Sequence, residues 1–370
     1  MKPVPDQDTE LRKLRKKRHI KENLEAYCYL APAFLILFVF LFLPVVYAFM
    51  LSFHKGNPLL GFEWFGIRQY TYLLTQDMDF YRGLVNTIYY TALSIPLQII
   101  IGIAFALLLN RAVKGIGFFR TVYFIPHITS LVAVALIWNW LFNEQFGLIN
   151  NFIIDKLDGE RLGWFTDPQG IFEKFVIFIP QWLEQTPVLS FFASPFRWFE
   201  GVYLEFVGRS GNYYYPLWQR VLAYAARGPS LALIMIVSLT VWKLIGFSVL
   251  LFMAGLQNIN TSYYEAANID GASRWQQFKH ITWPLLSPTT FFILVVGFIN
   301  SFKVFVPMMM MTFGGPENTT LSVVYYLYQE AWVSNKMGRA SAIAYILFVI
   351  ILIITIFQNK IIGKRVHYDS

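Results

Sequence analysis

The sequence predicts an all-α fold: a polytopic membrane protein with six core transmembrane helices, cytoplasmic N- and C-termini, and a helix-turn-helix in a cytoplasmic loop. Three observations predict it. First, 56% of the 370 residues are hydrophobic, 18% aromatic and only 14% charged, against about 25% charged in an average soluble domain. Second, six stretches each supply the roughly 20 apolar residues that a bilayer core of about 30 Å requires. They are residues 26–53, 84–109, 118–142, 231–256, 289–312 and 337–357. Third, if the N-terminus is cytoplasmic, the inner segments hold sixteen Lys/Arg in 78 residues and the two short outer loops four in 54, the positive-inside bias that sets orientation.

Residues 1–25 form a basic N-terminal segment with eight Lys/Arg. The apolar run that follows is nearly thirty residues long and has no small-x-small cleavage site, so it reads as an anchor rather than as a secretory signal. Cys28, the single cysteine, lies in that run, and one cysteine cannot form an internal disulfide. The net charge of +8 calls for no nucleic-acid partner. Its basic clusters at the two ends serve topology and contact with anionic lipid.

The loop 144–228 is too long to be used for orientation. Within it, residues 169–227 are rich in aromatics, and their longest uncharged run, 185–196, is twelve residues with two prolines. That is too short to cross a bilayer. The segment should lie at the outer interface or fold over the loops, where aromatic amphipathic material suits headgroup contact or a protein docking surface.

The loop 257–288 interrupts the apolar pattern with "EAANIDGASRWQQFKHITWP" at 265–284. Ser262 and Glu265 have the spacing of a capping box, and so do Ser273 and Gln276. Between them Gly271 offers the left-handed conformation that ends a helix. Pro284 and Pro288 are expected to stop the second helix before the fifth span. The pattern therefore predicts helix, turn, helix at the membrane surface.

That stretch closely resembles the EAA signature of the permease subunits of binding-protein-dependent ABC importers. Glu265, Ala266, Ala267, Gly271, Ile281 and Pro284 stand at the signature positions, and Trp283 replaces the usual Leu. "FIPHITSLVAVALIWNWLFNEQFGLIN" (124–150), "VWKLIGFSVLLFMAGLQNIN" (241–260) and "INSFKVFVPMMMMTFGGPENTT" (299–320) resemble the maltose-permease-like carbohydrate branch, and the likeness runs from about residue 26 to 365. It implies a type I importer transmembrane domain over 26–365 with a short cytoplasmic tail, 366–370. The implied partners are a second homologous permease subunit, two ATP-binding cassette subunits, which would bind ATP and Mg, and an extracytoplasmic solute-binding protein. The location implied is the cytoplasmic membrane of a bacterium or archaeon. Glu265, Ala266, Ala267, Asp270 and Gly271 would couple this chain to the ATPase. Leu244, Gly246, Phe247, Gly297, Asn300, Ser301 and Val304 match the region where that branch lines its substrate path, although helix packing explains the same small and amide residues.

No catalytic or metal site is expected. The sequence has no GxxxxGK[ST], GxSxG or HExxH, its five histidines are scattered, and the apolar stretches hold no Asp or Glu. Cofactors are accordingly none in this chain. Buried acidic relays mark ion-coupled carriers, so their lack disfavours a standalone carrier or channel. Lys243 and Lys303 each lie about fourteen residues into an apolar stretch. An ammonium at that depth costs at least about 2.5 kcal/mol, so each should face a cavity, a carbonyl cluster or a carboxylate. They would serve either an acidic glycan or phosphorylated polyol, or internal packing.

Overall fold

The computed structural model describes residues 7–59, 61–110, 116–157, 159–185 and 193–365. The tail 366–370 and most of the run 185–196 lie outside the described residues. Helix α1 (Gln7–Leu37), a π-helical turn at Phe38–Phe42 and α2 (Leu43–Leu51) follow one another without a break. Lys21–Leu51 is long and apolar enough to cross a membrane. None of α2 is buried; an apolar helix exposed on every side needs lipid or another chain around it. It touches the body through α18, where the Tyr345 hydroxyl donates to the Val45 carbonyl at 2.5 Å.

A small departure from the all-α expectation follows. Strands β1 (His54–Asn57) and β2 (Gly61–Trp64) pair antiparallel, with His54 opposite Trp64 and Asn57 opposite Gly61. After α3 (Arg68–Thr75), the long helix α4 (Met78–Leu109) opens on Asp77, whose carboxylate accepts from the amides of Asp79 and Phe80, both at 3.1 Å. That side chain satisfies two of the helix's orphan donors.

Helix α4 is the spine of the core. It packs along α11 (Leu231–Gln257), and the pairs Tyr90–Thr240 (3.0 Å) and Gln98–Ser248 (2.7 Å) advance in the same direction along both helices. Gly102 sits against Ser248 and Phe252 so closely that a Cβ there would meet the Ser248 Cβ at 2.9 Å. A small residue at this crossing lets the backbones approach, which is how apolar helices gain packing where lipid offers no hydrophobic contrast. Ile95, Ile99 and Ile103 of α4 bury against Phe252, Met253 and Ile293 in the same core. The Asp77 end is fastened separately: the Tyr326 hydroxyl of α17 (Val323–Tyr328) donates to the Asp77 carboxylate at 2.6 Å. Helix α18 (Met337–Ile361) closes the bundle.

Two of the six expected spans are not continuous. Residues 118–142 divide into α5 (Ile116–Ile128) and α6 (Leu131–Leu141), bent by 103° at Thr129 and Ser130. Pro126 removes an amide near the end of α5, and Ser130 is extended (φ −61°, ψ 128°). Residues 289–312 divide into α15 (Ser287–Phe302) and α16 (Val306–Thr312), separated by Lys303, Val304 and Phe305. Pro307 stands in the first turn of α16, where its missing amide breaks no helical bond. Lys303 is therefore not fourteen residues into a helix but the residue on which α15 ends. Four helices remain long and apolar enough to cross a membrane, or up to six if two bent pairs each form one span: Thr121–Ile128 with Leu131–Leu141, and Arg274–Leu285 with Ser287–Phe302.

Between α6 and α11 lie α7 (Leu148–Leu157), α8 (Ile171–Gln185), α9 (Ala193–Gly208) and α10 (Leu217–Ala226). None of the four qualifies as a membrane-crossing helix. Among the contacts that tie the last three to the bundle are two hydrogen bonds. The Ile171 amide donates to Pro229 O at 3.0 Å, and the Tyr224 hydroxyl to Asn86 Oδ1 at 2.9 Å.

Candidate functional site

The loop after α11 folds as helix, turn, helix. Helix α12 spans Thr261–Ile269 and α13 spans Arg274–Gln277, continuing through a π-helical turn, Phe278–Thr282, into α14 (Trp283–Leu285). Gly271, at φ +73°, closes α12 with two bonds: its own amide to Asn268 O (3.1 Å) and the Ala272 amide to Ala267 O (2.9 Å). This is the Schellman pattern, which requires a left-handed residue where Gly271 stands. The second capping box forms as expected: Ser273 N donates to Gln276 Oε1 (2.7 Å) and Gln276 N to Ser273 Oγ (3.4 Å).

One expectation for this loop fails. Ser262 does not cap α12; Asn260 does, its Oδ1 accepting from the Ser262 amide at 3.0 Å. Glu265 thus has no capping role. The second helix does end before the fifth span: Pro284 lies in α14, its last turn, the helix stops at Leu285, and the chain bends by 59° into α15, which carries Pro288 in its first turn.

Two contacts that the sequence did not signal fix the angle between the loop's helices. Gln277 Nε2 donates to Asn268 Oδ1 (2.7 Å) and Ala272 O (3.1 Å), and Tyr264 and Thr282 pair through their hydroxyls at 2.9 Å. Their separations of nine and eighteen residues are too long for contact within one straight helix. The outward surface is uncovered: α12 buries nothing, Glu265, Ala266 and Asp270 are exposed, and Ile269 and Trp275 are 88% and 69% exposed. Neither Glu265 nor Asp270 has an ion pair among the described residues.

The second feature is a cavity of about 280 Å³ where both broken helices meet α4 and α11. Lys243, Leu244, Phe247, Gly297, Asn300, Ser301, Lys303 and Val304 all line it. Of the residues matched to a substrate path, Gly246 alone lies elsewhere; a Cβ there would overlap the Tyr123 carbonyl of α5. Asn300 and Val304 share the cavity but not a helix, since Val304 is beyond the end of α15. The lining contains Tyr90, Ser94, Gln98 and Thr240 besides, and no Asp or Glu. Tyr90, Ser94 and Gln98 recur every fourth residue along α4, a polar stripe in an apolar stretch and the signal by which the sequence marks them.

The two lysines in this cavity differ. Lys243 Nζ donates to the carbonyls of Pro126 (3.2 Å), His127 (3.3 Å) and Thr129 (2.5 Å). Its three donors match three carbonyls where α5 stops, of which Pro126 O also accepts from the Thr129 hydroxyl at 2.7 Å, and a cation at a helix C-terminus also meets the negative end of the helix dipole. The carbonyl-cluster expectation describes Lys243. Lys303 is exposed to the cavity without a hydrogen bond or ion pair among the described residues, and the same is true of the Asn300 amide. At the second break, the Ser322 hydroxyl donates to the orphan Val304 carbonyl at 2.7 Å. Most other polar groups of the lining are already engaged: Ser301 Oγ with Gly297 O, Gln98 with Ser248, Tyr90 with Thr240. Among the described residues, the donors of the cavity without a hydrogen bond are the Lys303 ammonium, the Asn300 amide and the Ser94 hydroxyl, set among aromatic and aliphatic walls. Among the described residues no group of three or more His, Cys, Asp or Glu could hold a metal ion.

A family model described as "binding-protein-dependent transport system inner membrane component" matches residues 73–368. The chain is 30% identical over 361 residues to the probable ABC transporter permease protein YesP of Bacillus subtilis, covering 96% of each. It is 29% identical to the trehalose/maltose transport system permease protein MalF of Thermococcus litoralis, over 94% of this chain and 97% of that one. In structure it is similar to a chain of a bacterial alginate ABC transporter crystallised with an alginate pentasaccharide-bound periplasmic protein. That likeness has a TM-score of 0.66 at 21% identity, over 93% of this chain and 95% of the other, and speaks for the fold.

Proposed function

This chain belongs to the family of binding-protein-dependent transport system inner membrane components, and from that premise we propose that it is the permease subunit of an ATP-driven importer for a sugar or oligosaccharide. The observation that carries the reading is the cavity at the junction of two broken helices. Irregular backbone at membrane depth is tolerated where it lines a cavity, and discontinuous helices are a recurring way to build a solute site there. Its aromatic and aliphatic walls, with a few directed polar groups, suit a sugar ring. The names of relatives such as the trehalose/maltose permease protein support the cargo class.

In this reading the chain crosses the cytoplasmic membrane of a bacterium or archaeon six times, α5 with α6 and α15 with α16 each counting as one crossing, with both termini and the loop 257–288 in the cytoplasm. A second permease subunit completes the path, and an extracytoplasmic binding protein delivers the cargo. Two ATP-binding cassette subunits supply the energy, and ATP and Mg are bound there. The uncovered face of α12, with Glu265, Ala266, Ala267, Asp270 and Gly271, seats in the ATPase. The Gln277–Asn268 and Tyr264–Thr282 bonds make that loop stiff enough to transmit a rigid-body movement. The test is reconstitution of the complex in liposomes. Uptake of an oligosaccharide should need ATP on the coupling-loop side and loaded binding protein on the other. Uptake by this chain alone, driven by a solute or ion gradient, would overturn the proposal.

A further inference from the structure

The segment α8–α10 is built inside out. On α8, Phe172, Phe175 and Phe178 form an exposed stripe while Glu173 is buried beside Arg227, 3.7 Å away. On α9, Trp198, Phe199 and Val202 are exposed, and Glu200 is buried in contact with Arg197 Nη1 at 3.0 Å. On α10, Trp218 and Leu222 are exposed, and Arg220 is buried over the Tyr213 ring, 4.4 Å from its centroid. A helix in water does the reverse. Some charge stays outside, notably the Glu205–Arg209 pair on α9.

The position of this segment says what covers those faces. The end of α10 is held on α4, with Tyr224 bonded to Asn86 and the Tyr89 hydroxyl donating to Ala225 O. Asn86 and Tyr89 lie two and five residues inside the apolar stretch that begins at Leu84. Counting about 20 residues back from Leu109 for a core of about 30 Å sets the hydrocarbon boundary near Tyr89. The start of α8 is tied to the residues that lead into α11: Gly170 bridges Ser230, and Ile171 N donates to Pro229 O at 3.0 Å. Both attachments therefore fall at one membrane boundary. Helices of 15, 16 and 10 residues with aromatic faces turned outward at that depth do not cross. Their surface continues the apolar surface of the spans to which they are fastened.

We infer that α8–α10 is an interfacial module whose exposed aromatic side chains, led by Phe172, Phe175 and Phe178 of α8 and Trp198 and Phe199 of α9, dock into the headgroup–acyl boundary of the bilayer. The occupant of these faces is lipid. Aromatic rings favour that zone, and Glu173, Glu200 and Arg220, the charges that adjoin these rings, are buried against Arg227, Arg197 and the Tyr213 ring. The module then braces the outer end of α4 and α11, the two helices that wall the cavity, against the membrane surface. The membrane side follows from the topology proposed above; the lipid contact itself does not depend on it.

The test uses the whole transporter complex in lipid nanodiscs. Single cysteines replace Phe175, Phe199 and, as an aqueous control, the exposed loop residue Glu160 in a Cys28→Ser background, and each carries a nitroxide. Collision with oxygen relative to a water-soluble nickel chelate is then measured. The ratio at 175 and 199 should be at least several-fold above that at 160, with or without binding protein. A ratio equal to the control would overturn the inference. So would protection from both collision partners, which would assign the face to another subunit, or protection that appears only when binding protein is added.

Discussion

The ammonium of Lys243 lies 2.5 Å from the carbonyl oxygen of Thr129, 114 residues earlier in the chain, and closes the open end of a helix broken within the apolar bundle. One contact thus joins α11 to the break in α5–α6. Replacing it with the isosteric but uncharged Lys243→Met leaves the carbonyls of His127 and Thr129 without this donor, while Pro126 O keeps the Thr129 hydroxyl. The cost should be about 1–3 kcal/mol. Thermal denaturation of the purified complex should show a lower midpoint and uptake should fall with it. An unchanged midpoint would mean that water replaces the ammonium and that Lys243 does not hold the break.

Lys303 should behave differently. It is unpaired and faces the cavity, so Lys303→Met should leave the denaturation midpoint unaltered. One cation facing a carboxylated sugar is worth on the order of 1–2 kcal/mol. Competition between neutral and uronic-acid oligosaccharides should therefore shift about tenfold toward the neutral ones. No shift would remove Lys303 from the cargo site.

Gly271 is at φ +73°, and a Cβ there would meet nothing within 4 Å. A substitution is penalised by backbone conformation alone. Gly271→Val should cost about 1–3 kcal/mol locally and uncouple ATP hydrolysis from uptake while leaving membrane insertion intact. Asn tolerates the left-handed region, so Gly271→Asn should retain most coupling. Glu265, which caps nothing, should yield a mild loss on Glu265→Ala. Wild-type coupling in Gly271→Val, with the ATPase still bound, would move the coupling surface elsewhere.

Orientation is open to labelling with an impermeant thiol reagent. In a Cys28→Ser background, cysteine at the exposed Tyr214 should react in intact cells, and cysteine at the exposed Ile269 only after the membrane is opened. Reaction of both from outside would invert the proposed topology.

Tyr224 fastens α10 to Asn86, and its phenol is pushed up to about 12, chiefly by burial, against the lowering effects of the Asn86 hydrogen bond and of Arg82 and Arg227. The folded value exceeds the ordinary one of about 10. Its contribution is therefore complete below about pH 10 and is lost as pH rises through about 12. At pH 8, Tyr224→Phe should destabilise the complex by about 1 kcal/mol through the lost hydrogen bond. That gap should narrow between pH 10 and 12. A gap independent of pH would show that ionisation of this phenol does not matter to the fold.

What the chain settles by itself is what depends on neighbours in sequence. Apolar length marked the membrane stretches, Gly271 marked the turn, and Ser273 with Gln276 marked the start of α13, because each acts through a few consecutive residues. The family signature at 265–284 is legible for the same reason, and so is the Tyr90–Ser94–Gln98 stripe on α4. The helix breaks belong to tertiary structure. A 25-residue apolar run with one proline reads as a straight span. It bends by 103° because Lys243 satisfies the carbonyls that the bend exposes, just as Ser322 satisfies Val304 at the other break. An unsatisfied backbone group in an apolar bundle costs several kcal/mol, so such a break exists only where a distant residue meets it. The same holds for the inside-out segment α8–α10: its aromatic richness is local information, but which side of each helix faces outward was decided by Glu173, Glu200 and Arg220 finding partners within the fold.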